Sequence, residues 1–448
     1  MLKHLAGKLG VLVFCGAIVA GSALAETGNP EPPRTWVDKD TGHRVWRLTT
    51  EPGSSSLYFN YNAFTPDGQW MAYTAPDGVR ALNLASRSSV LLASHAGRKK
   101  ARLISAGRKT SSAFISQQGE NNEELLLAVD VPSGKVINRL VLEPGMKIDS
   151  INADETLAAG TFERDRSQDA DGKVHVVYPG TVIQATGKGE LMQKRSESRI
   201  PMSLFTVDLK SAAVREVLRS DDWLNHLQFS PVDPMLLMYC HEGFWQNVDR
   251  IWTIRADGTE KKLVHRRTML MEIAGHEFWS DDGQTIWYDW QFPKGVHFFL
   301  AGANVASARR EAFPIERDNW GIHFNSSRDS SIFVSDGGDR GQVARAEDGR
   351  WISLFRRNHD GATGAANQND FWQYSTLAAE RLVNMKAHNY RLEPNVRLTP
   401  DHKLAIFRSN MFGPSYVFGV ELAKAAPDAA DVADTTLLAE KAKRDQVR

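Results

Sequence analysis

The stretch EFWSDDGQTIWYD, residues 277–289, decides the fold. Two aromatics and a Ser lead into Asp-Asp-Gly, and a run rich in β-branched and aromatic residues follows. That is the end of one strand, a tight turn and the start of a second strand. The phrase recurs as AFTPDGQWMAY (63–73), QFSPVDPMLLMY (228–239), HFNSSRDSSIFVS (323–335) and VRLTPDHKLAIFR (396–408), with a worn copy SINADETLAAGTF (150–162). Between copies lie strand–turn–strand pairs such as SLFTVDLKSAAVREVL (203–218) and RIWTIRADGTEKKLV (250–264). Each copy is then four short strands at a period of about 45 residues, which is the form of a propeller blade. The segment EELLLAVDVPSGKVINRLVL (123–142) belongs to a degenerate seventh copy. The expectation is an all-β chain, a seven-bladed β-propeller over 35–424, followed by an Ala-, Asp- and Lys-rich extension at 425–448.

The rest of the chain narrows the function classes. Its 54 basic and 54 acidic residues balance among 448, without the basic excess that a nucleic-acid partner requires. Residues 1–25 read as a secretory signal peptide. Lys3, His4 and Lys8 precede an apolar run from Leu9 to Val19, and Ala23-Leu24-Ala25 offers a small-x-small cleavage site. The run is too short for a membrane span, and no later segment is long enough to be one. Cys240 is the one Cys of a cleaved chain, which leaves no internal disulfide. These features imply a periplasmic or secreted protein. They set no oligomeric state.

The repeat also says which residues face the axis. The two strands of each phrase are antiparallel, so the start of the first lies beside the end of the second. Counting back four from the recurring Ser or Thr reaches Tyr61, His226, His276 and Asn395. Glu393 is two residues before Asn395 on the same side of its strand, and His323 lies near the same rim. The second strands end in Phe162-Glu163-Arg164, Cys240-His241-Glu242, Tyr288-Asp289-Trp290 and Arg408-Ser409-Asn410. His, Glu, Asn, Arg and aromatic side chains from separate parts of the chain thus converge on one concave place, the usual setting of an active site. Taken singly, most of these residues have a plain structural role. Asp67, Asp282 and Asp401 belong to turn chemistry, Trp279 to packing between blades, and Cys240 to the core. His265 and His359 carry no special reading, and the insertion 165–200 is either a cap on the funnel or a surface loop.

The stretches FSPVDPMLLMYCHEG, GHEFWSDDG and YFNYNAFTPDG resemble the oligogalacturonate lyases, over most of residues 40–407. That resemblance implies a seven-bladed propeller that binds Mn²⁺ and cleaves short galacturonate oligomers by β-elimination. It implies His241 as the catalytic base and His276 as a metal ligand. The family's His-x-His pair is replaced here by Glu393-Pro394-Asn395, so the implied metal set is His276, Glu393 and Asn395, holding Mn²⁺, Ca²⁺ or another divalent cation. The familiar family members act in the cytoplasm, whereas this chain carries an export signal. The chemistry asks for the same groups: a base of pKa near neutrality at C5 and a cation or Arg at the uronate carboxylate. Arg408, Arg250 and Arg164 are the candidate carboxylate partners, and Tyr61, His226, His323 and Trp290 the candidate contacts to an acidic oligosaccharide. Two rival readings use the same scaffold. One is a non-catalytic propeller, similar to TolB-type proteins, that binds a glycan or protein partner. The other is a hydrolase using Glu242 and Glu277.

Overall fold

A computed structural model describes residues 31–426 apart from 96–99, 120–122, 164, 169–173, 178–184, 339–342, 345, 348–349 and 359–371. The stretch expected to be a signal peptide and most of the C-terminal extension lie outside the described residues, as does Arg164.

The recurring phrase folds as its chemistry dictates. Thr65 Oγ1 donates to Asp67 Oδ1 at 2.6 Å and accepts the amide of Trp70 at 3.1 Å. Ser280 does the same with Asp282 and Thr285, Ser327 with Asp329 and Ile332, and Thr399 with Asp401 and Leu404. The hydroxyl and carboxylate together satisfy amides that the tight turn leaves open. The turn also needs one left-handed residue. Gly68 and Gly283 take it at φ +69° and +67°, while Ser330 and His402 adopt it at 54° and 55° at the cost that a side chain brings.

Among the described residues seven blades result, each built outward from the axis, beside a separate two-stranded sheet of Asp165–Gln168 and Val174–Val177. The blade holding His241 runs Trp223–Phe229, Leu236–Glu242, Ile251–Arg255 and Lys262–Leu263. The next runs Ile273–Trp279, Thr285–Gln291, Phe298–Asn304 and Arg310–Pro314, with Trp372–Tyr374 added in parallel at its edge. The segment 123–142 supplies the two outer strands of the second blade, Glu124–Asp130 and Val136–Leu142. The ring closes through its ends. Near the N-terminus, His43–Arg47 pairs antiparallel with Tyr416–Lys424, and Thr35–Val37 lies outside it. This pairing buries an edge that would otherwise stay open. The core lies between blades, as where Trp287, Phe313 and Phe333 pack at centroid distances of 4.9–5.9 Å. No described helix is long and apolar enough to cross a membrane.

One irregularity positions the site. The inner strands break register between Asn225 and Gln228 and between Gly275 and Phe278. His226 and His276 sit there with φ of 50° and 48°, and Asn395, just before the inner strand Arg397–Leu398, has 53°. The two bulges lift His226 and His276 off the ladder toward the axis. Left-handed backbone at a non-glycine residue costs about 1–2 kcal/mol each, and its repetition at equivalent positions of three blades marks a functional constraint.

Candidate active site

The starts of the inner strands and the ends of the second strands meet around a cavity of about 400 Å³. His226 and His276 face it from the bulged inner strands, Glu393 from the segment leading into Arg397–Leu398, Tyr58 and Tyr61 from the segment before the first blade, and Glu242 and Arg250 from the fourth. Leu191 and Met192 of the helix Lys188–Glu197 cover one side, so this part of the insertion caps the funnel. Buried Arg195 ties the helix down through Glu163 at 2.5 Å.

Arg250 is the electrostatic centre. Its side chain is 2% exposed, Nη1 meets Glu242 Oε1 at 2.5 Å, and the guanidinium lies 4.3 Å from the Trp245 ring centroid. Burial works against that charge, yet Cys240, Glu242 and Glu277 raise its pKa above an ordinary arginine's. Burial likewise opposes the Glu242 carboxylate, but Arg250 and His226 hold it well below the usual range. Glu242 Oε2 is 3.2 Å from His226 Nε2, so one carboxylate holds both Arg250 and His226. His276 is different. Burial, then the charges of His323 and Arg250, push its pKa well below the usual histidine value, which makes it a neutral imidazole. Beneath it Asp289 is pushed up to about 8 by burial, against the pull of Arg250 and His323. Burial drives the Tyr58 phenol well above its ordinary pKa, and Glu393 and Glu277 add to the shift. Tyr61 is raised by burial too. Both phenols stay protonated and can donate.

Tyr61, His226, Arg250, His276 and Glu393 therefore share one wall system; the strand count points to all of them but Arg250, which the family resemblance brings in. His323 and Asn395 lie just beneath it. His323 is fully buried, stacked on Phe59 at 4.7 Å and 5.0 Å from the His276 ring, with Nδ1 on Asp336 at 3.0 Å. The Asn395 amide also donates to Asp336, at 2.7 Å.

Three placements correct the sequence-based expectation. His241 is not among the residues lining the cavity. Strand alternation sends its neighbour Glu242 inward and turns His241 to the flank, where its ring stacks on Trp252 at 5.3 Å and Nδ1 lies 3.6 Å from Asp222. Arg408 is not a free clamp. Its Nε donates to the Glu393 carbonyl at 2.7 Å and Nη1 to Ser55 Oγ at 2.6 Å, so it holds the Glu393 segment from behind. Trp290 is committed elsewhere, stacked on Trp372 at 4.5 Å and donating to Glu272 at 2.9 Å.

That last cluster explains a residue with no special reading in the sequence. Buried His265 pairs with Glu272 at 2.8 Å and with the Tyr288 hydroxyl at 3.1 Å. Burial raises the Glu272 pKa, but His265, the Thr268 amide and Trp290 outweigh it and bring it down to about 2. A depressed carboxylate contributes stability above its unfolded pKa and loses it as pH falls through the folded one. The protein should therefore lose about 2 kcal/mol from this group between pH 4.5 and 2. Glu272→Gln should be less stable at pH 7 and flatter over that window in denaturant titrations.

Tyr58, Trp245 and the helix residues Leu191 and Met192 are site residues that no repeat or spacing signals. Trp245 matters for packing. A Cβ at Gly275 would meet its ring at 2.6 Å, and Trp245 in turn holds Arg250 and touches His276 edge-on at 4.8 Å. Gly275→Ala should shift that ring and cost about 1–3 kcal/mol by overpacking. Thermal melts would check the effect.

The family model described as oligogalacturonate lyase matches residues 196–425, just over half of the chain, and these residues hold most of the cavity wall. The chain belongs to the oligogalacturonate lyase family. It is 26% identical over 218 residues to an oligogalacturonide lyase of Pectobacterium atrosepticum, and 26% over 219 residues to an oligogalacturonate lyase of Dickeya dadantii. Each alignment covers 47% of this chain and 53% of the relative, so the chain spans about half the length of the curated relatives it matches. Two family structures share its fold. The oligogalacturonate lyase of Vibrio parahaemolyticus has a TM-score of 0.67, and an oligogalacturonate lyase in complex with manganese has 0.68. Both are 20% identical and cover 87% of this chain and 96% of their own.

Whether a cation fits this family member turns on its donors. His276 Nδ1 and Asn395 Oδ1 are buried without hydrogen-bond partners, which would suit a ligand role. Yet among the described residues no group of three or more His, Cys, Asp or Glu could hold a metal ion. Asn395 is fully buried below the cavity, and the positive charge of Arg250 already acts on His276. As arranged, the set His276, Glu393 and Asn395 does not fit Mn²⁺, and the positive charge of the cavity comes from Arg250.

Proposed function

We propose that this chain is a lyase that cleaves short oligogalacturonates by β-elimination in the axial cavity, leaving a 4,5-unsaturated uronate. One observation carries the reading: a buried, fully charged Arg250 shares a cavity with the imidazoles of His226 and His276. A uronate carboxylate paired with Arg250 acidifies its α hydrogen, H5, because the charge that develops on deprotonation spreads onto oxygens the guanidinium holds. His226, oriented by Glu242, takes H5. The C4–O bond breaks as C4=C5 forms, and the leaving oxygen takes its proton from Tyr58 or Tyr61. Neutral His276 supplies a hydrogen bond on the opposite side. The export signal read at residues 1–25 would put this chemistry in the periplasm.

The test is turnover of trigalacturonate by the purified chain, followed by ultraviolet absorbance of the conjugated product. Absorbance should rise, and because Arg250 carries the charge it should still rise in EDTA. Loss of turnover in EDTA with rescue by Mn²⁺ would show that the Glu393 segment rearranges to hold a cation. New reducing ends without absorbance would mean hydrolysis. Binding with neither would leave a non-catalytic module.

A further inference from the structure

The axis has a second opening, at the end where the inner strands run into their turns. A small cavity of about 40 Å³ lies there, lined by Asn60, Tyr61 and Asn62 of the segment before the first blade and by residues of the other six blades. Its charged lining is Arg108, Arg397 and Asp281, two guanidiniums against one carboxylate. Arg397 is buried. Its Nη1 donates to the Tyr61 carbonyl, while its Nε has no hydrogen-bond partner. Burial drives the pKa of both arginines down, Asp281 pulls each back up, and Arg108 lowers Arg397 further, to about 10. Two like charges face one small cavity with a single counter-charge, and the Arg397 side chain is held out of water with its Nε unpaired, an arrangement that is costly unless a second negative charge joins them.

We propose that this throat binds a small monovalent inorganic anion, chloride in size, between Arg108 and Arg397. One negative charge brings the local sum to zero, and the orphaned Arg397 Nε gains an acceptor. The 40 Å³ is room for a few waters at roughly 10–15 Å³ each, enough for a small anion and too little for a sugar ring. Asn60 and Tyr61 line both cavities, so the anion sits below the floor of the upper one, apart from Arg250. Its role is to fasten the blade ends around the axis, and it does not depend on the lyase reading.

The test is thermal unfolding of the full chain in sodium chloride and in sodium gluconate at equal ionic strength, gluconate being too large to enter. Chloride should raise the midpoint along a saturating curve, on the order of 2 °C at the plateau. Arg108→Gln, at a partly exposed position, should fold and lose the chloride-specific rise. Crystals grown in bromide should show an anomalous peak between the two guanidiniums. Coincident curves in the two salts, a full chloride response in Arg108→Gln, or no bromide peak would each overturn the proposal.

Discussion

Arg250→Met should cost about 3–5 kcal/mol of stability and remove essentially all turnover. Methionine keeps the length and apolar body of the side chain but takes away the charge that Glu242 and Glu277 face. Glu242 would keep only His226 and the Gly243 amide, and both Glu277 oxygens already lack hydrogen-bond partners. Removing one member of a buried pair leaves its partner buried and uncompensated, which accounts for the size of the effect. The catalytic loss has a separate cause, the missing stabilisation of charge on the uronate carboxylate, worth about 10²–10³ in rate. Arg250→Lys separates the two. It keeps a charge for the carboxylates but loses the planar fork, so it should recover much of the stability and little of the rate. Urea midpoints and kcat for both variants would check this. A Met variant with normal rates would remove Arg250 from the chemistry.

His226→Gln should lower kcat by about 10²–10⁴, the range for a lost general base, while His241→Gln should change it less than tenfold. The distinction rests on one strand. Glu242 faces the cavity and holds His226, whereas His241 stacks on Trp252 beside Asp222. Circular dichroism and melting would confirm that both variants fold. The opposite outcome, a dead His241→Gln and an active His226→Gln, would mean that His241 swings into the cavity during turnover, the role the family resemblance implies.

Much of this protein is legible in its sequence because a propeller repeats itself. The Ser/Thr–x–Asp turn of EFWSDDG forms the same hydrogen bonds in four blades, so recognising one copy locates the others, and counting back four lands on the left-handed residues His226, His276 and Asn395. Trp290 shows where counting ends. It lies at a strand end on the correct face of the ring, yet Trp372, drawn in beside its blade by the parallel strand 372–374, takes its ring away from the axis.

The sequence by itself determined the all-β class, the seven blades and the end of the axis at which His226, His276 and Glu393 gather, since each follows from local turn chemistry and period. Only the tertiary structure decided how the ring closes, because His43–Arg47 and Tyr416–Lys424 are far apart in the chain and pair only once the blades have turned full circle. It also decided that Glu242 rather than His241 faces the substrate cavity. Adjacent strand residues point to opposite sides, and which side meets the axis depends on how the blade is seated and on bulges in its neighbour, neither of which leaves a mark in the sequence.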